Sequence, residues 1–235
     1  MNRLHRTCFF AALAALLTFA IPVVAATKER AKVVIVAGKK SHGYGAHEFN
    51  AGSLLIQRML KASAPGVEVV VYKNGWPQAE DAFEGADAIV LFMDGGGGHP
   101  GNQHLDQWYF NMRFREKMEG VTSVLKAVPD NETRSGKTSW PRGARKDIVD
   151  ASGREESLLW ATERKDGGRG VGFTGAHFHW NFGDDGFRKL VLNAIVWVAG
   201  MEVPEKGIET AKPTQAELEA NQDFPKPEGK DKKNK

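Results

Sequence analysis

The chain has almost no cysteine, and this absence limits its chemistry. The single cysteine among 235 residues, Cys8, lies in an apolar N-terminal stretch that has no LAGC-like lipidation motif. If that stretch is cleaved, the remaining protein has no disulfide, no thiolate metal ligand and no cysteine nucleophile. Cysteine-dependent catalysis is therefore excluded for the mature protein.

The N-terminal stretch has the three-part pattern of a secretory signal. Arg3 and Arg6 precede an apolar run that ends in VVAAT, where small residues favour cleavage after Ala26 or one residue earlier. An uncleaved membrane anchor is the alternative, which Pro22 and the small-residue exit disfavour. We therefore expect a signal peptide at 1–26, a secreted or periplasmic protein, and no stable membrane insertion.

Charge of one sign is also scarce. The formal net charge is +3, and it falls to +1 when Arg3 and Arg6 are removed. Much of the remaining basic charge lies in the C-terminal KPEGKDKKNK, which is typical of a solvated tail. No stripe of arginines interleaved with aromatic residues is present, so we expect no nucleic-acid partner.

The first half of the chain alternates strand and helix patterns. Short apolar runs predict strands at 31–38, 67–75 and 87–98, and a helix capped by Asn50 lies between the first two. This βαβ alternation predicts an α/β fold with a mostly parallel sheet. We expect one such domain over 27–204.

The second half reads differently. A strand is predicted at 120–129, a hairpin with the turn KDGG at 156–180, and a helix at 184–201. Asp184 or Asp185 caps this helix, and six of its residues form one apolar face: Phe187, Leu190, Val191, Ala194, Ile195 and Val198.

The C-terminal segment 205–235 is charged and contains proline. It predicts a largely disordered tail, interrupted by a short helix whose capping box pairs Thr214 with Glu217.

Three histidine-bearing loops leave strands at the predicted ligand-binding edge of the sheet, or could reach it. The loops contain His42, His47 and Glu48; Asp94, His99 and His104; and His177, His179 and Trp180. Neutral imidazoles with a carboxylate could hold zinc or iron. Acid/base, hydrogen-bonding and purely structural roles remain alternatives. No HExxH motif is present.

The glycines of DGGGGHP follow the third predicted strand. Without Cβ atoms, they allow backbone N–H groups to approach a ligand closely. The sequence is not a phosphate loop, because no Gly-Lys-Ser/Thr follows. A flexible strand-to-loop transition is the alternative interpretation.

Four stretches together resemble secreted members of the trehalose-utilisation (ThuA-like) family, over about residues 32–204. They are VVIVAGKKSHGYGAHEFNAG, GADAIVLFMDGGGGHP, WYFNMRF and DGGRGVGFTGAHFHWNFGDDGFRKLVLNAIVW. The resemblance implies the class I glutamine amidotransferase-like fold, a flavodoxin-like three-layer sandwich. It also implies a small carbohydrate ligand, a disaccharide or a keto-sugar derivative, and a hydrolase or isomerase activity.

HFHW resembles the late stretch that carries the catalytic histidine of amidotransferases, which places His179 at that position. Glutaminase chemistry is excluded, because no mature cysteine is available. A divalent metal is considered as a cofactor but is not favoured. The resemblance and the loops together give catalytic candidates His179, His177 and Asp94; substrate-binding candidates His42, Gly95, Gly96, Gly97, His99, Arg113 and Trp180; and metal candidates His42, His47 and Glu48.

The chain departs from the family pattern at one junction. HLD meets the strand-like QWYFNMRF directly, where family members carry a further helix and strand. The sheet is therefore expected to be incomplete. This leaves a second hypothesis, a non-catalytic carbohydrate-binding or degenerate ThuA-like protein.

Overall fold

A computed structural model describes residues 28–94, 109–135 and 146–228. The signal-like segment and the glycine-rich loop lie outside these ranges. The helices and strands are β1 (Ala31–Ala37), α1 (Phe49–Ser63), β2 (Val67–Tyr72), β3 (Ala88–Phe92), β4 (Val121–Ala127), α2 (Asn131–Arg134), α3 (Lys146–Val149), β5 (Glu156–Glu163), β6 (Arg169–Phe173), α4 (Asp185–Val198) and α5 (Gln215–Glu219). Short 3-10 helices span Glu116–Met118 and His179–Gly183.

The three predicted N-terminal strands form a parallel sheet in the order β2-β1-β3. Val33 of the central strand pairs with Val69 on one side and with Ala88 on the other. Val33 and Val34 point to opposite faces of the sheet, and both are fully buried. The unalternating apolar sequence of β1 is therefore explained by burial on both faces.

The predicted strand at 120–129 and the predicted hairpin are also present, as an antiparallel sheet in the order β4-β5-β6. Within the described ranges this sheet is separate from the parallel one. The architecture is thus mixed α/β with two three-stranded sheets, and the finer prediction of a flavodoxin-like three-layer sandwich is not confirmed.

The prediction of a strand at WYFNMRF is wrong over its described residues, 109–114, which are irregular. Asn111 has a φ of 63°, which interrupts extended backbone. The aromatic side chains pack individually instead. Phe110 lies under the Arg134 guanidinium, and the Phe114 ring contacts the Trp160 ring at a centroid distance of 5.1 Å.

One hydrophobic core joins both long helices to one face of the parallel sheet. Leu60 of α1 and Leu192 of α4 lie in the same cluster as Ile35. No helix in the described part of the chain is long and apolar enough to cross a membrane.

Two details of the helices differ from the predictions. Asn50 does not cap α1, because the helix already begins at Phe49. The side-chain amide of Asn50 instead donates to Asn74 and to Asp223. Asp184 caps α4 as expected, by accepting from the backbone N–H of Phe187. The buried face of α4 is rotated from the predicted one, and it consists of Phe187, Arg188, Leu192, Ile195 and Val196.

Arg188 is the charged residue of that buried face. Its guanidinium donates to the Phe182 carbonyl at 2.9 Å and to Thr210 Oγ1 at 3.0 Å, and it pairs with Asp185. A prediction from the spacing of apolar residues assigns arginine to the solvent face. It therefore cannot identify a buried arginine whose donors are satisfied by hydrogen bonds.

Folded structure continues beyond the predicted boundary at residue 204. Ile208 and Leu218 are buried, and the predicted capping box of Thr214 and Glu217 is present at the start of α5. The segment up to residue 228 therefore packs on the domain, which its charged composition did not indicate.

Two adjacent residues of α1, Gly52 and Ser53, give a test of how α1 packs on the parallel sheet. Ser53 is fully buried, and its hydroxyl has no hydrogen-bond partner in the described part of the chain. A Cβ on Gly52 would lie 2.5 Å from the Phe92 ring and 3.2 Å from the Phe182 ring. We expect Ser53→Ala to raise the free energy of unfolding by about 1 kcal/mol, because it removes an unsatisfied hydroxyl from a helix.

Gly52→Ala should have the opposite effect. Its gain in helix propensity is about 1 kcal/mol, but overpacking against two rings costs about 1–3 kcal/mol. Urea denaturation of both variants measures the difference. Stabilisation by Gly52→Ala would contradict the packing of α1 on β3.

Candidate functional site

The candidate site lies at the carboxyl edge of the parallel sheet. His42 and His47 are in the loop that follows β1, which we name the histidine loop (residues 38–48), and Asp94 follows β3. Because β1 and β3 are parallel neighbours, their carboxyl ends bring these residues together. His177 comes from the segment after β6.

Backbone hydrogen bonds join the histidine loop to the segment that carries His177. The N–H of His47 donates to the His177 carbonyl at 2.8 Å, and the N–H of His179 donates to the Gly45 carbonyl at 2.9 Å. Ala46 and Phe178 form an antiparallel bridge between these bonds. The two loops are thus paired like a short ribbon.

Side chains from these loops form a compact polar group, the histidine cluster: Ser41, His42, His47, Asp94 and His177. Its three imidazoles are buried. Ser41 Oγ donates to Asp94 Oδ2 at 2.6 Å and lies 2.8 Å from His42 Nδ1. His47 Nδ1 lies 2.9 Å from Asp94 Oδ2, and His47 Nε2 lies 2.8 Å from His177 Nδ1.

With the three imidazoles neutral, these contacts fit one set of tautomers. Ser41 gives its one proton to Asp94, so the proton in its bond with His42 belongs to His42 Nδ1. The Asp94 carboxylate accepts from His47 Nδ1–H, which leaves a lone pair on His47 Nε2. His177 must then donate from Nδ1. The result is a hydrogen-bonded relay, Asp94–His47–His177, in which His177 Nε2 carries a lone pair.

Two members of this environment were missed by the sequence analysis. Ser41 precedes His42 directly, and the sequence gives no other signal of its role. Tyr109 lies beyond the glycine-rich loop, and its pKa is raised by burial and by the negative charge of Asp94. Its phenol therefore lies within electrostatic range of the cluster.

The structure separates His179 from His177, because β6 ends at Phe173 and His179 begins the 3-10 helix His179–Gly183. The His179 ring packs against the Phe182 ring at a centroid distance of 5.6 Å and against the Trp180 ring at 6.0 Å. Burial, offset only in part by the backbone of Leu218, lowers the pKa of His179 to about 4. A neutral ring in such apolar surroundings is a weak base, so the relay gives His177 the stronger case for proton transfer.

Glu48 was predicted as a metal ligand, but its carboxylate faces the main chain. Oε1 accepts the N–H of Gly45 at 3.0 Å, and Oε2 accepts the N–H of Asp223 at 2.7 Å. Burial raises the pKa of Glu48, and these two hydrogen bonds oppose the shift. Asp94 takes its place beside His42 and His47.

The structure places the predicted substrate-binding residues in different surroundings. Trp180 packs on the histidine loop, and a Cβ on Gly45 would lie 2.6 Å from its indole nitrogen. Gly45 also has a φ of 80°, so this position requires glycine on two counts. Arg113 is exposed. Four further candidates lie outside the described residues: Gly95, Gly96, Gly97 and His99.

One ligand atom from each of His42, His47 and Asp94 lies within 4.8 Å of the other two. Two imidazoles and a carboxylate are a donor set that suits zinc or non-haem iron. In the present arrangement, however, both ring nitrogens of His47 take part in hydrogen bonds within the cluster. An ion would have to replace at least one of them.

In comparisons of the chain with protein-family models, with curated proteins and with solved structures, nothing matches it.

The burial of His179 predicts a pH dependence of stability. In the unfolded chain the pKa of this imidazole is near 6.5, and in the folded chain it is about 4. Between these values the unfolded state binds more protons, so stability falls as the pH falls from about 6.5 to 4. The full loss corresponds to about 3 kcal/mol.

We expect His179→Leu to remove this loss of stability at low pH. The part of the pH dependence that comes from carboxylates should remain. Urea denaturation of both proteins at intervals between pH 7 and pH 4.5 measures it. Parallel pH profiles for the two proteins would contradict the assignment.

The hydrogen bonds of His47 also predict the outcome of a metal analysis. We expect protein purified without a histidine tag to contain less than one ion per chain after dialysis against zinc, manganese or nickel, because both ring nitrogens of His47 are already hydrogen-bonded within the cluster. Elemental analysis measures the ion content. One tightly held ion per chain that is lost on Asp94→Asn would contradict this expectation.

Proposed function

We propose that the chain is a secreted ThuA-like enzyme that acts on a carbohydrate, with the Asp94–His47–His177 relay transferring a proton. The observation that carries this proposal is the relay itself. It connects the Asp94 carboxylate to His47 at 2.9 Å and His47 to His177 at 2.8 Å, and with both imidazoles neutral it leaves His177 Nε2 as the basic nitrogen. This arrangement is suited to general acid/base catalysis.

The direction of proton transfer follows from the tautomers. His177 Nε2 takes a proton from the substrate and becomes an imidazolium. Its Nδ1 proton can then move to His47 Nε2, which places the positive charge next to Asp94 at 2.9 Å from its carboxylate oxygen. The carboxylate stabilises that charge and keeps His47 in the correct tautomer, as the aspartate of a catalytic triad does.

The substrate class comes from the resemblance and from the signal-like N-terminus, which together favour an extracytoplasmic sugar. In a keto-sugar, the C–H beside the carbonyl is acidic, and a neutral imidazole can remove its proton. In a disaccharide, the same group can activate a hydroxyl or a water molecule. An isomerase and a hydrolase are thus both consistent with one base.

The test is an assay of the chain on disaccharides and on their 3-keto derivatives. We expect Asp94→Asn and His177→Ala to reduce kcat about 100-fold or more, because each removes general acid/base catalysis. His179→Leu is the matched control, since that imidazole lies among aromatic rings. Absence of turnover on every sugar, or an equal loss in the folded control, would refute the proposal.

A second candidate is a non-catalytic or degenerate carbohydrate-binding protein. The observation that favours it is the outer edge of β3. In the described part of the chain no strand pairs with this edge, and Ile89 and Leu91 are 47% and 56% exposed. The family pattern would place a further strand and helix in this part of the fold. Calorimetric binding of a saccharide that is recovered unchanged would favour this alternative.

A further inference from the structure

The C-terminal end of the described chain forms a strap (residues 214–228) that is anchored away from the histidine cluster. Leu218 is buried in the hydrophobic core, and the Glu217 carboxylate pairs with Arg58 of α1 at 2.5 Å. The capping box holds the first turn of α5. These contacts fix the start of the strap independently of the cluster.

Beyond α5 the strap reaches the histidine loop. Gln222 Oε1 accepts the N–H of Gly45 at 2.9 Å. The N–H of Asp223 donates to Glu48 Oε2 at 2.7 Å, while Glu48 Oε1 accepts the same Gly45 N–H at 3.0 Å. The buried carboxylate thus connects the strap to the loop, and Gln222 makes a second direct connection.

A further side chain ties the strap to the start of α1 and to the loop after β2. Asn50 Nδ2 donates to Asp223 Oδ1 at 2.8 Å and lies 2.9 Å from Asn74 Oδ1. Asn50 follows His47 by three residues, so this contact restrains the end of the histidine loop.

The histidine loop needs such restraint, because its backbone is strained at His47. His47 has a φ of 51°, a region that residues with a side chain rarely occupy. Strained backbone persists only where the surrounding structure holds it. The ribbon with His177–His179 holds the loop on one side, and Glu48 with the strap holds it on the other.

We propose that the C-terminal strap is a positioning element of the histidine cluster. Gln222 and Asp223, acting through Gly45 and Glu48, hold the histidine loop where His47 bonds both Asp94 and His177. The consequence for turnover rests on the proposed function, but the positioning can be measured without a substrate.

The experiment uses the full chain and three variants: Glu48→Gln, the double variant Gln222→Ala with Asp223→Ala, and the control Glu228→Ala. Glu228 lies in the strap and is exposed. The glutamine offers one oxygen and one NH₂ group to two N–H donors, so one of the two bonds is lost. The double variant removes the direct bond to Gly45 and the acceptor for Asn50.

Two readouts follow the loop directly. Ring-nitrogen NMR reports the tautomers of His47 and His177, and hydrogen exchange reports the protection of the Gly45 and His47 amides. We expect exchange at these amides to accelerate about tenfold or more in both test variants, because they lose hydrogen bonds that involve the loop. The ring-nitrogen NMR signals of His47 and His177 should change in the same variants. Hydrogen exchange at the β1 amides should stay as in the wild type, and the Glu228→Ala control should match the wild type in both measurements.

Asp223→Asn is the conservative variant, because it keeps both the backbone N–H and an oxygen for Asn50. We expect it to behave like the wild type. Wild-type ring patterns and loop exchange in the double variant would overturn the proposal. An equal effect in Glu228→Ala would also overturn it, because the strap would then act only through general stability. If Glu48→Gln fails to fold, the double variant decides the question.

Discussion

The parallel pairing of β1 with β3 fixes where two segments of the candidate site begin, the histidine loop and the segment that starts with Asp94. The pairing continues past the strand ends, where Gly38 donates to the Phe92 carbonyl and Gly75 donates to the Ala37 carbonyl. A Cβ on Gly38 would lie 2.7 Å from Met93 Cβ, so the close approach of the histidine loop to the end of β3 requires glycine there. The register of β1 with β3 therefore sets the positions of the histidine loop and Asp94 relative to each other.

Hydrogen bonds between the side chains of the histidine cluster hold the buried polar groups at this edge. His42 and His47 have ring centroids only 3.7 Å apart, so two imidazolium charges there would repel strongly. One carboxylate, Asp94, is the acceptor for both Ser41 and His47. His177 and His179 are two residues apart, yet the first bonds a polar relay and the second packs on aromatic rings. Their environments, rather than their shared chemistry, separate their roles.

The sequence predicted those parts of the fold that depend on local periodicity. The three parallel strands, the β5–β6 hairpin, the Asp184 cap and the Thr214 capping box all follow from patterns within about twenty residues. The roles of Arg188 and Ser41 were not predicted, because they depend on donors and acceptors that come from elsewhere in the fold. The aromatic run at 109–114 predicted a strand from composition, whereas Asn111 turns the backbone out of the extended region. Of the predicted site residues, His42, His47, Asp94 and His177 do converge.

The strap shows why composition alone mispredicted the segment after residue 204. Its charged sequence offers little apolar surface, and Ile208 and Leu218 are its buried aliphatic side chains in the described range. Besides these two side chains, it is held by hydrogen bonds to a loop about 175 positions earlier, a separation that no local pattern can reveal. The loop in turn contains the buried Glu48 carboxylate, which without the strap would lose the Asp223 N–H as a donor to Oε2, and a buried carboxylate oxygen without a donor is costly. Each segment therefore stabilises the other.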